Sequence, residues 1–222
     1  MLKRTAVRLF RVELAMILLH ISSSPRGTDS ESLRIAQVFT DAYTESHADA
    51  VVDHWDLWDG PLPDMALGAK AKMTVFGGGT PVGAEGRVWA QARAAFERFA
   101  AADRVLFSVP MWNAGIPYVL KQFIDVVSQP GWIFGVDPVE GYRHLLADRG
   151  TRVAVIYTSA VWGPGVGPEF GRDFQSTYFD DWLRWTGLTD VSDIRFHPTL
   201  TGDRAAEDAA ALARARDVAK TF

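Results

Sequence analysis

The chain has 222 residues, 48% apolar and 23% charged, the balance of an ordinary soluble globule with one substantial core. Its formal net charge of -4 argues against an electrostatic partnership with nucleic acid, which needs a basic face to release phosphate counterions. With no cysteine, disulfides, thiolate metal sites, iron–sulfur clusters and cysteine nucleophiles are excluded together, and a cytoplasmic location is allowed.

Residues 1–15 begin Met1-Leu2-Lys3-Arg4, but Arg8, Arg11 and Glu13 interrupt the apolar run that follows. A secretory signal needs an unbroken apolar segment and a small-residue cleavage site, so this stretch reads as an amphipathic extension, or as residues ahead of a true start near Met16. No run approaches the ~20 apolar residues that span a membrane. The expected division is therefore an extension, 1–15, and one domain, 16–222.

Ala15 to Ile21 is continuously apolar, as a strand buried on both faces requires. A turn-rich segment, 22–30, leads into a helix over 31–43, where Leu33, Ile35, Ala36, Val38, Phe39 and Ala42 recur at helical spacing. A second strand is expected over 49–58. Residues 59–81 read as a long loop holding one short helix near 64–73. A helix follows over 82–101, then a third buried strand over 103–109. Pro110 to Pro117 forms a loop whose last proline suits the first turn of a helix over 118–128. Residues 129–147 suggest a hairpin excursion. A fourth strand over 151–159, a glycine-rich loop, a helix over 170–186, a fifth strand over 191–196 and a closing helix over 205–220 complete the chain.

This alternation predicts an α/β fold: a doubly wound, five-stranded parallel sheet with helices on both faces. In such sheets ligands sit beyond the carboxyl ends of the strands at the topological switch point, which selects the loops 22–32, 110–116 and 159–165. The first carries Ser24, Ser30 and Ser32 at a helix N-terminus, a setting that suits phosphate. A plain N-cap by Asp29 or Ser30 explains the same residue types equally well, and the position after the first buried strand favours phosphate. The loop has neither G-x-G-x-x-G nor G-x-x-x-x-G-K-[ST], so a Rossmann dinucleotide site and a P-loop are not expected. A mononucleotide such as FMN fits better.

The run Ser24-Pro-Arg-Gly-Thr-Asp-Ser-Glu-Ser32 resembles the phosphate loop of the FMN-dependent NADH-azoreductase and NAD(P)H:quinone oxidoreductase family, which is flavodoxin-like. Pro110-Met-Trp-Asn-Ala-Gly-Ile-Pro117 followed by Leu120-Lys-Gln-Phe-Ile-Asp125 resembles its flavin-contacting loop and helix, and the likeness extends over about residues 15–200. The resemblance implies bound FMN, with NADH or NADPH as donor and small aromatic acceptors, quinones or azo compounds. It implies Ser24, Ser30, Glu31 and Ser32 around the phosphate and ribityl chain, Glu31 through its backbone N–H. Met111, Trp112, Asn113 and Ala114 would line the isoalloxazine ring, the loop of Ser159 and Ala160 would lie at its pyrimidine edge, and Trp162 would form a wall of the pocket. It also implies a homodimer, because the family's active site forms between subunits. Two departures stand out: Trp112 replaces a common tyrosine, and Thr158-Ser-Ala-Val-Trp-Gly163 replaces a Ser/Ala-x-Gly-Gly pattern.

The flavin would supply the chemistry, so no acid–base residue is assigned. His144, His197 and Tyr118 qualify by type only. The five histidines show no metal spacing, and no G-x-S-x-G elbow is present. Asp180-Asp181 reads as a solvated helix face, and Phe174, Tyr178, Trp182 and Trp185 as a buried or dimer-facing stripe. An NADPH-dependent FMN or chromate reductase, a flavodoxin-type electron carrier and a non-catalytic descendant are the competing readings.

Overall fold

A computed structural model of the protein describes residues 15–222. The expected extension, 1–15, lies outside the described residues except for its last member. Five strands form one parallel sheet: β1 (Ile17–Ser22), β2 (Val51–Asp56), β3 (Arg104–Pro110), β6 (Arg152–Thr158) and β7 (Val191–Phe196). Between β3 and β6 the chain makes a separate antiparallel hairpin, β4 (Phe134–Asp137) and β5 (Gly141–His144). The sheet order is β2-β1-β3-β6-β7, so the winding reverses beside β1 and opens the switch point between β1 and β3.

The alternation of side chains along each strand assigns two cores. Leu18, Leu106, Ala154, Ile156, Ile194 and Phe196 face α1 (Glu31–Ser46) and α6 (Arg204–Thr221). Leu19, Ile21, Val105, Phe107, Val153 and Val155 face α3 (Gly83–Ala100), α4 (Tyr118–Val127) and α5 (Ser176–Thr186). The expected short helix is α2 (Met65–Phe76), which packs on α3 and α4. No described helix is long and apolar enough to cross a membrane.

One element starts later than its periodicity suggested. Residues 168–170 form a single 3-10 turn and α5 begins only at Ser176. Gly171 at φ 91° breaks the path, and the Asp173 carboxylate accepts from the N–H groups of Gln175 and Ser176 at 3.0 and 2.8 Å, capping the helix there.

Candidate active site

The chain leaves β1 through three buried serines. The Ser23 N–H and hydroxyl both donate to the Ser108 carbonyl, at 3.2 and 2.8 Å, tying this loop to β3. The Ser24 N–H donates to the Ser22 hydroxyl at 3.4 Å. After one 3-10 turn, Ser30 caps α1 by accepting from the Leu33 N–H at 3.3 Å, and its oxygen lies 3.1 Å from that of Ser32. Capping uses a lone pair of Ser30, so the cap and the phosphate readings coexist. The acidic side chain of the first turn, Glu31, pairs with Arg34 at 2.9 Å and with Arg204. Burial alone would raise its carboxyl, but these arginine bonds overcome that and hold it below its usual range. Its charge is thus committed to two cations.

The second loop is strained. The Met111 N–H donates to the Thr158 carbonyl at 2.7 Å, joining the ends of β3 and β6. Trp112 and Gly115 exchange backbone hydrogen bonds at 2.8 and 2.9 Å around Asn113 at φ 48° and Ala114 at φ 68°. Asparagine tolerates the left-handed region, whereas alanine pays about 1–2 kcal/mol there. Two contacts from the approach to α5 hold the turn. The Phe174 N–H donates to the Ala114 carbonyl at 2.9 Å. The buried Gln175 amide donates to the carbonyls of Val109 and Thr158, at 2.7 and 3.3 Å. Strain retained by surrounding bonds is a mark of functional loops.

Aromatic rings gather at this edge. Trp112 lies 5.7 Å from Trp58 and 6.2 Å from Tyr118, and Trp58 donates its indole N–H to the Ser23 carbonyl at 3.0 Å. A cavity of about 460 Å³ is lined by Trp112, Asn113, Tyr118, Phe174 and Tyr178. A larger one, about 670 Å³, lies between α2, α4, the hairpin and α5, away from the serine loop. At the β1–β3–β6 edge Trp58 links the two loops, bonded to Ser23 and packed beside Trp112.

The chain from residue 16 to 219 matches the family model described as having the flavodoxin-like fold. An FMN-dependent NADH:quinone oxidoreductase of Ruegeria pomeroyi is 44% identical over 187 residues, covering 84% of this chain and 91% of its own. This chain belongs to that family. A second member, FMN-dependent NADH:quinone oxidoreductase 2 of Burkholderia lata, is 38% identical over 93% of this chain and all of its own. A solved azoreductase from Bacillus anthracis superposes with a TM-score of 0.84 at 24% identity, over 93% of this chain and 100% of its own, a likeness of fold.

The sites expected in this family member come together in part. Ser30 and Ser32 lie side by side, the Ser24 loop leaves β1, and Met111 to Ala114 follow β3, the strand paired with β1. In the third loop, the Ser159 hydroxyl bonds to the Trp162 carbonyl. Ala160 is exposed, while Trp162 is half-buried and meets the His197 ring edge-on at 5.3 Å. The Ser159 and Ala160 carbonyls accept from Thr199 and Leu200, both at 2.9 Å, so the 197–200 segment backs this loop. Among the residues named by type, burial lowers the His197 pKa and both its ring nitrogens lack a partner. His144 Nδ1 lies 2.5 Å from the Trp185 carbonyl, and Tyr118 belongs to the aromatic cluster. Asp180 and Asp181 are both exposed, as a solvated helix face requires, and Asp180 also accepts a hydrogen bond from the buried Tyr157 hydroxyl. Of the aromatic stripe, Trp182 is buried while Phe174 is exposed.

Sequence reasoning missed Trp58, although it follows β2 at the same carboxyl edge. It also missed that His20 and His54 meet. Among the described residues, no three potential ligands converge on a metal position.

Proposed function

We propose that this protein binds FMN and carries electrons from NADH or NADPH to quinones or azo compounds. The carrying observation is the meeting of a serine-lined helix N-terminus with a strained, aromatic-flanked turn across the β1–β3 switch point. The residues fit the group. The hydroxyls of Ser24, Ser30 and Ser32 and the first N–H groups of α1 suit a phosphate. Glu31 takes part through its backbone while Arg34 and Arg204 neutralise its carboxylate. Met111, Trp112, Asn113 and Ala114 offer a backbone turn and an indole against a flat ring. Ser159, Ala160 and Trp162 close the opposite edge, Trp162 acting as a wall where the family pattern has small residues.

When bound, the flavin supplies two-electron chemistry between donor and acceptor. The chain's part is to hold the ring between preorganised backbone dipoles, exclude water with Trp58, Trp112 and Tyr118, and leave an open stacking face. Donor and acceptor then use that face in turn, which is ping-pong behaviour. The names of the relatives support the acceptor class.

The homodimer belongs to this proposal. It is supported by the exposed aromatics Tyr118, Phe174 and Tyr142, which flank the ring-side cavity and the hairpin. The absence of cysteine and the nicotinamide donor support a cytoplasmic setting.

The test is the visible spectrum of purified protein with added FMN, before and after anaerobic NADH or NADPH. Bound flavin that bleaches supports the reductase. Bound flavin that stays oxidised with both donors would indicate an electron carrier, and failure to bind flavin would refute both.

A further inference from the structure

His20 sits inside the apolar run of β1, a buried imidazole below the serine loop. It has two partners. Its Nε2 lies 2.9 Å from the Ser108 hydroxyl on β3, and its Nδ1 lies 3.2 Å from Nδ1 of His54 on β2. His20 and His54 are direct cross-strand neighbours, and Ser108 is in turn 3.5 Å from the Ser32 carbonyl in the first turn of α1.

The proton positions follow from donor and acceptor logic. A carbonyl only accepts, so the Ser108–Ser32 bond forms with the Ser108 hydroxyl proton turned towards Ser32. With the proton so placed, Ser108 accepts from His20 and His20 is the Nε2–H tautomer. Its Nδ1 carries the lone pair, and His54 donates to it. The relay therefore runs in one direction, from the exposed His54 through His20 and Ser108 to α1, where Ser32 Oγ lies beside Ser30 Oγ. A second proton on His20 would set two N–H groups against each other. Burial, and next the facing His54, push its pKa down to about 3, so the ring stays neutral under ordinary conditions.

We propose that His20 is a positioning residue for the cofactor phosphate: through Ser108 it holds the first turn of α1, and so the Ser30–Ser32 hydroxyls, in register with the loop after β1. This rests on the reading that the serine loop binds the FMN phosphate. A cavity of about 570 Å³ lies beside the pair, lined by His20, His54, Thr28 and Gln37 and by Leu33 and Arg34 of that turn. The relay restrains the turn from the sheet side, beside the Ser30 cap and the ion pairs of Glu31 and Arg34.

FMN and riboflavin share the ring and ribityl chain and differ by the phosphate, so their affinity ratio isolates this role. Flavin-stripped protein is titrated with each, for the wild type and for His20→Phe, Ser108→Ala and His20→Gln. The first two variants should reduce the preference for FMN over riboflavin by roughly tenfold, the worth of one lost hydrogen bond in a charged site, and leave riboflavin binding unchanged. His20→Gln places an amide donor near the old Nε2 and should restore most of the ratio. If both ligands weaken alike, or neither does, His20 is merely structural and the inference fails. If the wild type itself shows no preference for FMN, the phosphate-loop reading fails first. Should His20→Phe not fold, the small Ser108→Ala change decides alone.

Discussion

Burial, followed by the facing His54, pushes His20 from an ordinary 6.5 down to about 3. The charged and polar groups around it are His54 on β2, Ser108 on β3 and Arg34 on α1, the last committed to Glu31 and Asp208. Because the folded pKa is the lower one, the unfolded chain takes up a proton first as pH falls. Stability is full above 6.5 and declines between 6.5 and about 3, by at most ~1.4 kcal/mol per pH unit. Urea unfolding at stepped pH should show this one-proton slope, and His20→Phe should flatten it. An unchanged slope in that variant would assign the acid sensitivity to other groups. Ala114 offers a second test at this scale. Glycine relieves the φ 68° strain and loses some chain entropy, leaving a net gain of about 0.5–1 kcal/mol. Ala114→Gly should thus unfold at higher urea while holding FMN more weakly, because the turn is no longer fixed in advance. A lower urea midpoint would show that the alanine is not strained.

The approach to α5 acts as a strap across two strand ends. Gln175→Leu keeps the volume but removes the amide donor to the Val109 and Thr158 carbonyls, a cost of about 0.5–1.5 kcal/mol per bond. The ring loops should loosen with it. We expect turnover to fall and bound-flavin fluorescence to rise, with the preference for FMN over riboflavin retained, because the serine loop is anchored separately through Ser23 and Ser108. Loss of that preference would show that the two loops are not independent. This strap illustrates what periodicity can and cannot reveal. The buried runs at 15–21, 103–109 and 151–159 are legible because parallel strands must be apolar on both faces. The Pro110–Pro117 loop is legible because its residues resemble the flavin-contacting loop of a known family. The helix over 170–186 was read too long, since Phe170 and Phe174 continue an apolar spacing that Gly171 and the Asp173 cap interrupt in space. His20 was invisible as a functional residue, because a histidine inside an apolar run gives no sign of a neighbour 34 positions away. Trp58 was hidden likewise: its indole bond to Ser23 depends on β2 lying beside β1.

Viewed as a whole, the molecule leaves its ring-side edge open. Tyr118 is 64% exposed and Phe174 60%, and both border the cavity that reaches Trp112 and Asn113. Exposed aromatics of this size beside a binding site commonly mark an interface. A second copy of the chain covering this edge would bury them, shield the flavin from water and complete the acceptor pocket. Replacing both with charge, Tyr118→Glu with Phe174→Lys, places unpaired ions in that contact and should convert a dimer to monomer in sedimentation analysis. FMN should still bind, because neither substitution touches the serine loop, which is anchored through Ser23 and Ser108. Turnover with quinone should fall more than tenfold, since each monomer would present a half-open pocket. A wild-type protein that sediments as a monomer at full activity would sink the dimer and place the whole acceptor site within one chain. A dimer that survives the double substitution would move the interface elsewhere, with the aromatic-lined cavity between α2, α4, the hairpin and α5 as the next face to probe.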